Sequence, residues 1–359
     1  MAIPYSVFRD LLCSWYKVHQ RFLPWRTTKD PYKIWLSEVI LQQTRVAQGL
    51  PYYERFIAQY PTVIALAKAT EQEVLRIWQG LGYYSRARNL HYCAQTVVKQ
   101  YNGIFPSSYQ TLLKLKGIGP YTAAAIAAVS SKEIVAAVDG NVYRVLTRIF
   151  GLTEDIGTTY GRKQIHQLAT ALVDQDQPDV YSQAIMDFGA LQCTPAAPLC
   201  VTCIFNPYCV AFHTNSQKKI PIKTTKLNKK HRYFDYIVIK YKNLLYMKKR
   251  IHNDIWKGMY DFYLLENEHR LELDHINDPL LVLAQKHNLS IISYENEKKH
   301  LLTHQRLFVK FHHMEATQDF LQNGENLFNK YSLHPFNQIE VDGLPKPILI
   351  QNFLKEFLI

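Results

Sequence analysis

Apolar positions recur at helical spacing through most of the first 215 residues. Phe8, Leu11, Leu12, Trp15 and Tyr16 make one face of an amphipathic helix within residues 1–30. Asp30 before Pro31 has the form of an N-cap followed by proline at the first helical position. The helix it opens carries Ile34, Trp35, Ser37, Glu38, Val39 and Leu41 and ends in Leu41-Gln42-Gln43-Thr44. Further helices are predicted over 47–60, broken by Pro51, and over 63–68, 71–79 and 85–101. Between the last two, Gly80-Leu81-Gly82-Tyr83-Tyr84 reads as a glycine-flanked loop exposing an aliphatic and an aromatic tip. Val142, Val145, Leu146 and Ile149 sit at i, i+3, i+4 and i+7, another helix face. Helices over 161–172 and 179–191 complete a half that has almost no period-2 alternation and is therefore nearly all α.

The pattern changes after residue 230. Residues 233–241 and 244–250 look like two strands around a Lys242-Asn243 turn, and Leu307, Val309 and Phe311 alternate with Phe308, Lys310 and His312 as a third. A closing helix is predicted over 347–358, so 233–359 reads as a smaller α+β domain. Between the halves, residues 216–232 carry seven Lys/Arg and no acid. They read as a basic linker, either laid along a phosphate backbone or simply a solvated tether.

Composition narrows the partners. The chain has 359 residues, enough for two or three domains, with a formal net charge of +12 and an ordinary 47% of hydrophobic residues. That charge favours polyanions, nucleic acid or an anionic membrane surface. No apolar run approaches a membrane span, and the N-terminal stretch is interrupted by Arg9, Asp10 and Lys17, so neither a spanning helix nor a secretory leader is expected.

Within Leu115–Arg144, Gly117 and Gly119 bracket Ile118 and Pro120 opens an alanine-rich helix through Thr122–Val129. Such a hairpin can offer backbone N–H groups to a phosphate, or be an ordinary turn between helices. Cys193, Cys200, Cys203 and Cys209 fall within 17 residues, and Pro195, Pro198 and Pro207 keep that segment out of a helix. Four such thiols suit tetrahedral zinc or a cubane iron–sulfur cluster. With only one close pair and longer, unequal outer spacings, the balance favours [4Fe–4S]. Clustered thiols of this kind fit a reducing cytoplasm, whereas Cys13 and Cys93, isolated in helical segments, read as core.

LKGIGPYTA, then VDGNVYR, then the C-x6-C-x2-C-x5-C loop together resemble the helix-hairpin-helix DNA glycosylase superfamily. SEVILQQT, GLGYYSRARNL and WKGMYDF narrow the resemblance to its adenine-removing branch, over essentially the whole chain. The resemblance implies a catalytic domain at 1–215, mostly α, of two helical subdomains with the [4Fe–4S] loop at 193–209. The basic linker 216–232 would then join it to a Nudix-like lesion-recognition domain at 233–359. It further implies a monomer acting on double-stranded DNA that holds adenine opposite 8-oxoguanine or guanine.

Taken singly, Glu38 reads as a solvated helix residue, Asp139 as an N-cap, Tyr121 as a half-buried aromatic and Asn141 as a turn residue. Their joint occurrence in this pattern gives them roles. By resemblance Glu38 is kept protonated by burial and protonates the leaving base, Asp139 stabilises the oxocarbenium-like sugar, Asn141 orients Asp139 and Tyr121 approaches the same groups. Relatives that also cut the strand carry lysine where Tyr121 stands; a phenol forms no Schiff base, so a monofunctional enzyme is expected. Gln43 would wedge into the duplex with Gln42 and Thr44 in support, Leu81 and Tyr83 would intrude from the other loop, and Gly117 and Gly119 would grip phosphate. Arg21, Trp25 and Gln183 would line the adenine pocket.

The second domain lacks the R-E-x-x-E-E helix of a working Nudix hydrolase between residues 258 and 290, so recognition of the damaged strand is its expected role. The family's Phe-Ser-His loop is Leu302-Thr303-His304 here, which keeps the hydroxyl and imidazole of Thr303 and His304 but loses the aromatic. Other readings are a pyrimidine glycosylase of the same superfamily, or a non-catalytic, cluster-bearing DNA-binding or redox-sensing protein.

Overall fold

A computed structural model describes residues 3–224, 229–294 and 297–357. The chain divides into two compact units, Met1–Lys68 with Asn89–Thr225, and Ala69–Arg88 with Lys226–Ile359. The helix-loop segment 69–88 thus groups with the C-terminal residues, a grouping with no counterpart in local periodicity. Among the described residues no helix is long and apolar enough to cross a membrane.

The first unit opens with α1 (Tyr5–His19), α2 (Pro31–Leu41), α3 (Val46–Gln59) and α4 (Val63–Lys68). After α5 (Glu71–Trp78), which belongs to the second unit, α6 (Ser85–Tyr101) crosses the boundary, and α7 (Tyr109–Leu112), α8 (Pro120–Ser131) and α9 (Gly140–Phe150) follow. The first unit ends with α10 (Thr159–Leu172), α11 (Pro178–Leu191) and α12 (Val210–His213). Asp30 caps α2 as expected, accepting from Tyr32 N at 3.0 Å. Pro51 does not break α3, which runs unbroken. A proline in the second turn forfeits one hydrogen bond, and Gly49, Tyr53 and Phe56, buried on either side of it, hold the helix down.

Helices α1, α9, α10, α11 and α12 pack together around Phe8, Leu12, Trp15, Val145, Leu146 and Phe188, while α2 packs between α3 and α8. Ala123, Ala124, Ala125, Ala127 and Ala128 of α8 are all buried, and their small side chains let α2 approach closely. Helix α11 touches both α8 and α9, so the two groups of helices meet along it.

The second unit is built on an eight-stranded mixed sheet. Its strands are β1 (Lys230–Tyr241), β2 (Leu244–Lys249), β3 (Tyr260–Asp261), β4 (Tyr263–Asn267), β5 (Ile291–Ser293), β6 (Lys298–Leu301), β7 (Gln305–Glu315) and β8 (Leu333–Phe336). Strand β1 is central, antiparallel to β4 and β2 and parallel to β7, with Tyr233 opposite Phe308 and their rings stacked at 5.0 Å. Both its faces are covered, which follows from the side-chain alternation of a strand. Ile237 and Ile239 enter a core with α13 (Pro279–Lys286), α14 (Gln318–Asn323) and α15 (Glu325–Lys330). Helices α16 (Gln338–Gly343) and α17 (Ile348–Phe357) end the unit, and Phe353 of α17 stacks at 4.0 Å on Phe311, itself stacked on Tyr236.

The basic linker is shorter than 216–232, because Lys230 to Arg232 begin β1. Arg232 is buried there, donating to Asp254 and Glu266 at 2.6–2.8 Å. Residues 225–228 of the expected linker lie outside the described residues.

Candidate active site

Helix α2 is apolar nearly all round, with Ile34, Trp35, Leu36, Ser37, Val39 and Ile40 buried, so the glutamate in its last turns is carried inward with them. Glu38 faces a cavity of about 720 Å³, which leaves it only half-buried by surface area although protein surrounds it. Burial pushes its carboxyl up to about 7; the bond from the Tyr121 hydroxyl pulls down, Asp139 pushes up and the Arg26 charge pulls down. Tyr121, second residue of α8, is held as a neutral phenol by burial and by the two carboxyls, and its hydroxyl also reaches Met186 Sδ at 3.3 Å.

Asp139 enters the same cavity as the N-cap of α9. Its Oδ1 accepts from Asn141 N at 2.8 Å and Val142 N at 2.9 Å, and its Oδ2 from Asn141 Nδ2 at 2.8 Å. Burial raises this carboxyl, opposed by those donors and by the charge of Arg144. Three aimed N–H donors and a helix N-terminus favour the charged form of Asp139, whereas Glu38 has the one hydroxyl. The cavity therefore holds two carboxyls in unlike surroundings, the arrangement that separates an acid from a charge stabiliser.

Behind Asp139 stands Arg144, which local pattern had not singled out. Its Nη2 donates to Asn141 Oδ1 and Gly189 O, both at 2.7 Å, and its Nε to Cys193 O at 2.7 Å. Behind Arg21 and Arg26, which line another wall of the cavity, Asp187 is fully buried between their two guanidinium groups. Burial alone would raise its carboxyl, but the bonds and charges of Arg26 and Arg21 take it below the usual carboxylate range. Arg21 Nε and Arg26 Nη2 donate to its Oδ1 at 2.8 and 2.7 Å. No local spacing marks Arg26 or Asp187, because the two lie over 160 residues apart.

Of the residues expected to bind substrate or DNA, Arg21, Trp25, Gln42, Gln43, Thr44 and Gln183 line this cavity. Trp25 is edge-on to Tyr53 at 5.0 Å, Gln183 accepts from Tyr16 at 2.8 Å, and Gln43, one residue past the C-cap of α2, is exposed with φ +57°. Gly117 and Gly119 lie outside the cavity and differ from each other. Gly117 has φ +88°, but Gly119 has φ −90° and serves as the N-cap of α8, so a single left-handed residue makes the turn. Leu81, Tyr83, Thr303 and His304 line a separate cavity of about 570 Å³ within the second unit. There the Tyr83 and Thr303 hydroxyls are hydrogen-bonded. Leu81, expected at an exposed tip, is instead buried, because its backbone folds onto Trp78 O and turns the side chain inward.

Cys193, Cys200, Cys203 and Cys209 form no disulfide and line one cavity with Arg148, whose Nη1 lies 3.5 Å from Cys193 Sγ. Burial pushes Cys203 up to about 12 and raises Cys200 and Cys209, so thiolates at these three positions require cationic compensation. Among the described residues no three His, Cys, Asp or Glu side chains are gathered as ligands of a single metal ion. Four cysteine side chains around one cavity are donors of the kind that zinc or an iron–sulfur cluster takes.

Residues 36–175 match the family described as "HhH-GPD superfamily base excision DNA repair protein". An adenine DNA glycosylase of Buchnera aphidicola subsp. Baizongia pistaciae is 32% identical over 352 residues, covering 95% of both chains. Among solved structures, a thermostable thymine-DNA glycosylase aligns with a TM-score of 0.55 at 29% identity, over 58% of this chain and 97% of its own. A non-covalent endonuclease III–DNA complex aligns at 0.52 and 20% identity, over 60% and 100%, a likeness of fold.

Proposed function

Since the chain belongs to the adenine DNA glycosylases of the HhH-GPD superfamily, enzymes of base excision repair, we propose that it excises adenine paired with 8-oxoguanine or guanine in duplex DNA. The observation that carries this reading is the pair of unlike carboxyls, Glu38 and Asp139, facing one cavity. A neutral Glu38 gives its proton to a ring nitrogen of the extruded adenine. The C1′–N bond breaks with its electron pair leaving on the base, and the sugar takes up positive charge. Asp139, held by Asn141 and the start of α9, lowers the energy of that cation, and water completes the hydrolysis. Arg21, Trp25 and Gln183 bound the base, Gln43 with Gln42 and Thr44 fills the gap it leaves, and Gly117 and Gly119 meet phosphate.

Tyr121 supplies a hydroxyl and no amine, so the enzyme leaves an abasic site without forming a Schiff base. Cys193, Cys200, Cys203 and Cys209 would hold a [4Fe–4S] cluster that would gather the loop 193–209 around itself, while Arg144 and Arg148 of α9 bond that loop through the carbonyls of Cys193, Thr194 and Pro195. In the second unit, read as Nudix-like, Thr303 and His304 contact the 8-oxoguanine strand beside Tyr83 and Leu81. The protein works as a monomer.

Single-turnover release of adenine from A:8-oxoguanine, A:G and A:T duplexes tests the reading. Release from the first two, faster for 8-oxoguanine, and no borohydride-trapped adduct are expected. Release from A:T at the same rate, or efficient trapping, contradicts it.

A further inference from the structure

The loop between α5 and α6 is strained and yet tightly held. Gly80 and Gly82 have φ +99° and +71°, and between Gly82 and Tyr84 the bulky Tyr83 itself takes φ +48°. A tyrosine in the left-handed region persists only where its surroundings over-determine it. Two of those surroundings are neutral: Trp78 Nε1 donates to Gly82 O at 3.0 Å, and Gly80 N to the Tyr84 hydroxyl at 3.3 Å.

The third is a charged side chain placed inside the turn. Arg86, only 8% exposed, sets its guanidinium 5.0 Å from the Trp78 ring and 5.5 Å from the Tyr83 ring. The same Nη2 reaches Gly82 O at 3.3 Å and Leu81 O at 3.4 Å, and Arg86 N donates to Tyr83 O at 2.8 Å. Burial lowers its pKa to about 10, which still leaves a cation at neutral pH. One planar guanidinium thus lies over two aromatic rings while its Nη2 engages the carbonyls on the N-terminal side of Tyr83. Tyr83 stays 42% exposed, its hydroxyl bonded to Thr303 in the cavity of the second unit.

We propose that Arg86 is a positioning residue for lesion recognition, holding the Tyr83 ring in the left-handed turn so that its hydroxyl meets Thr303. The inference rests on the reading of that cavity as the 8-oxoguanine site. Arg86 touches no substrate in this account; it acts through Tyr83.

A double-mutant cycle tests it, with adenine release from A:8-oxoguanine and A:G duplexes measured under single turnover. Arg86→Met should cut the preference for A:8-oxoguanine about tenfold, and by less than about twofold once Tyr83→Ala is present. If the methionine variant does not fold, Arg86→Lys, which keeps the charge but loses the planar fork, takes its place with the same expected direction. Independently of DNA, the ¹⁹F resonance of 3-fluorotyrosine at position 83 should move when Arg86 is replaced. An unchanged resonance, or an Arg86 effect that persists in full beside Tyr83→Ala, overturns the positioning role alone. A lesion preference that survives Tyr83→Ala by itself ends the recognition reading, and the lesion role of Arg86 with it.

Discussion

Arg144 is bonded to Asn141: its Nη2 donates to Asn141 Oδ1 at 2.7 Å, while the amide of that asparagine donates to Asp139 Oδ2 at 2.8 Å. The other side of the guanidinium donates to Cys193 O, also at 2.7 Å. A continuous chain of hydrogen bonds therefore runs from the first cysteine of the thiol loop to the carboxylate at the head of α9. It fixes which end of the Asn141 amide faces Asp139, because Oδ1 is already taken by a cation.

Arg144→Lys should accordingly slow adenine release by about ten- to a hundredfold, the cost of letting a reacting group drift from its geometry. A lysine is one point charge and cannot bond Asn141, Gly189 and Cys193 together. The check is single-turnover release at saturating protein, with cooperative melting confirming the fold; release at the wild-type rate would remove Arg144 from the account.

Asp139→Asn separates folding from chemistry. Asparagine is as good an N-cap as aspartate, so α9 should keep its start and thermal melting should shift little. The negative charge beside the sugar is lost, and release should fall by about 10²–10³. Asp139→Ala should lose the chemistry and also about 1 kcal/mol of stability. Equal activity of Asp139→Asn and wild type would contradict the role given to this carboxylate.

The two hairpin glycines should respond differently to alanine. Gly117 sits at φ +88°, and a Cβ there would come within 2.9 Å of the Asn89 Cβ. Gly117→Ala should cost about 1–3 kcal/mol in chemical denaturation. Gly119 has a negative φ and open space where a Cβ would go. Gly119→Ala should cost roughly 0.5–1 kcal/mol, the margin by which alanine is the poorer N-cap, with no added strain.

How much of this was legible in the sequence depended on the range of the interaction. Asp139 was readable because its two jobs are local: it caps the helix that the Val142, Val145, Leu146, Ile149 face announces, and Asn141 lies two residues away. Glu38 was readable only through the motif around it, since nothing in SEVILQQT says that α8 will bring Tyr121 against it. The clamp of Arg21 and Arg26 on Asp187 was invisible, because no local spacing encodes a contact over that separation. Leu81 was misjudged for a related reason: glycines on both sides predict a turn but not which way its aliphatic side chain faces. Strands β3, β5, β6 and β8 run two to four residues each, too short for alternation to register, and they form on the template of longer neighbours.

The central claim is that Glu38 delivers the proton, and the pH profile of single-turnover adenine release tests it most directly. The carboxyl must be neutral to act, and its pKa stands at about 7. The wild-type rate should therefore be level on the acid side and fall roughly tenfold per pH unit above about 7, with Glu38→Gln slower by at least about 10² throughout. A profile that stays flat through neutrality, or a Glu38→Gln rate within a few-fold of wild type, would contradict the account.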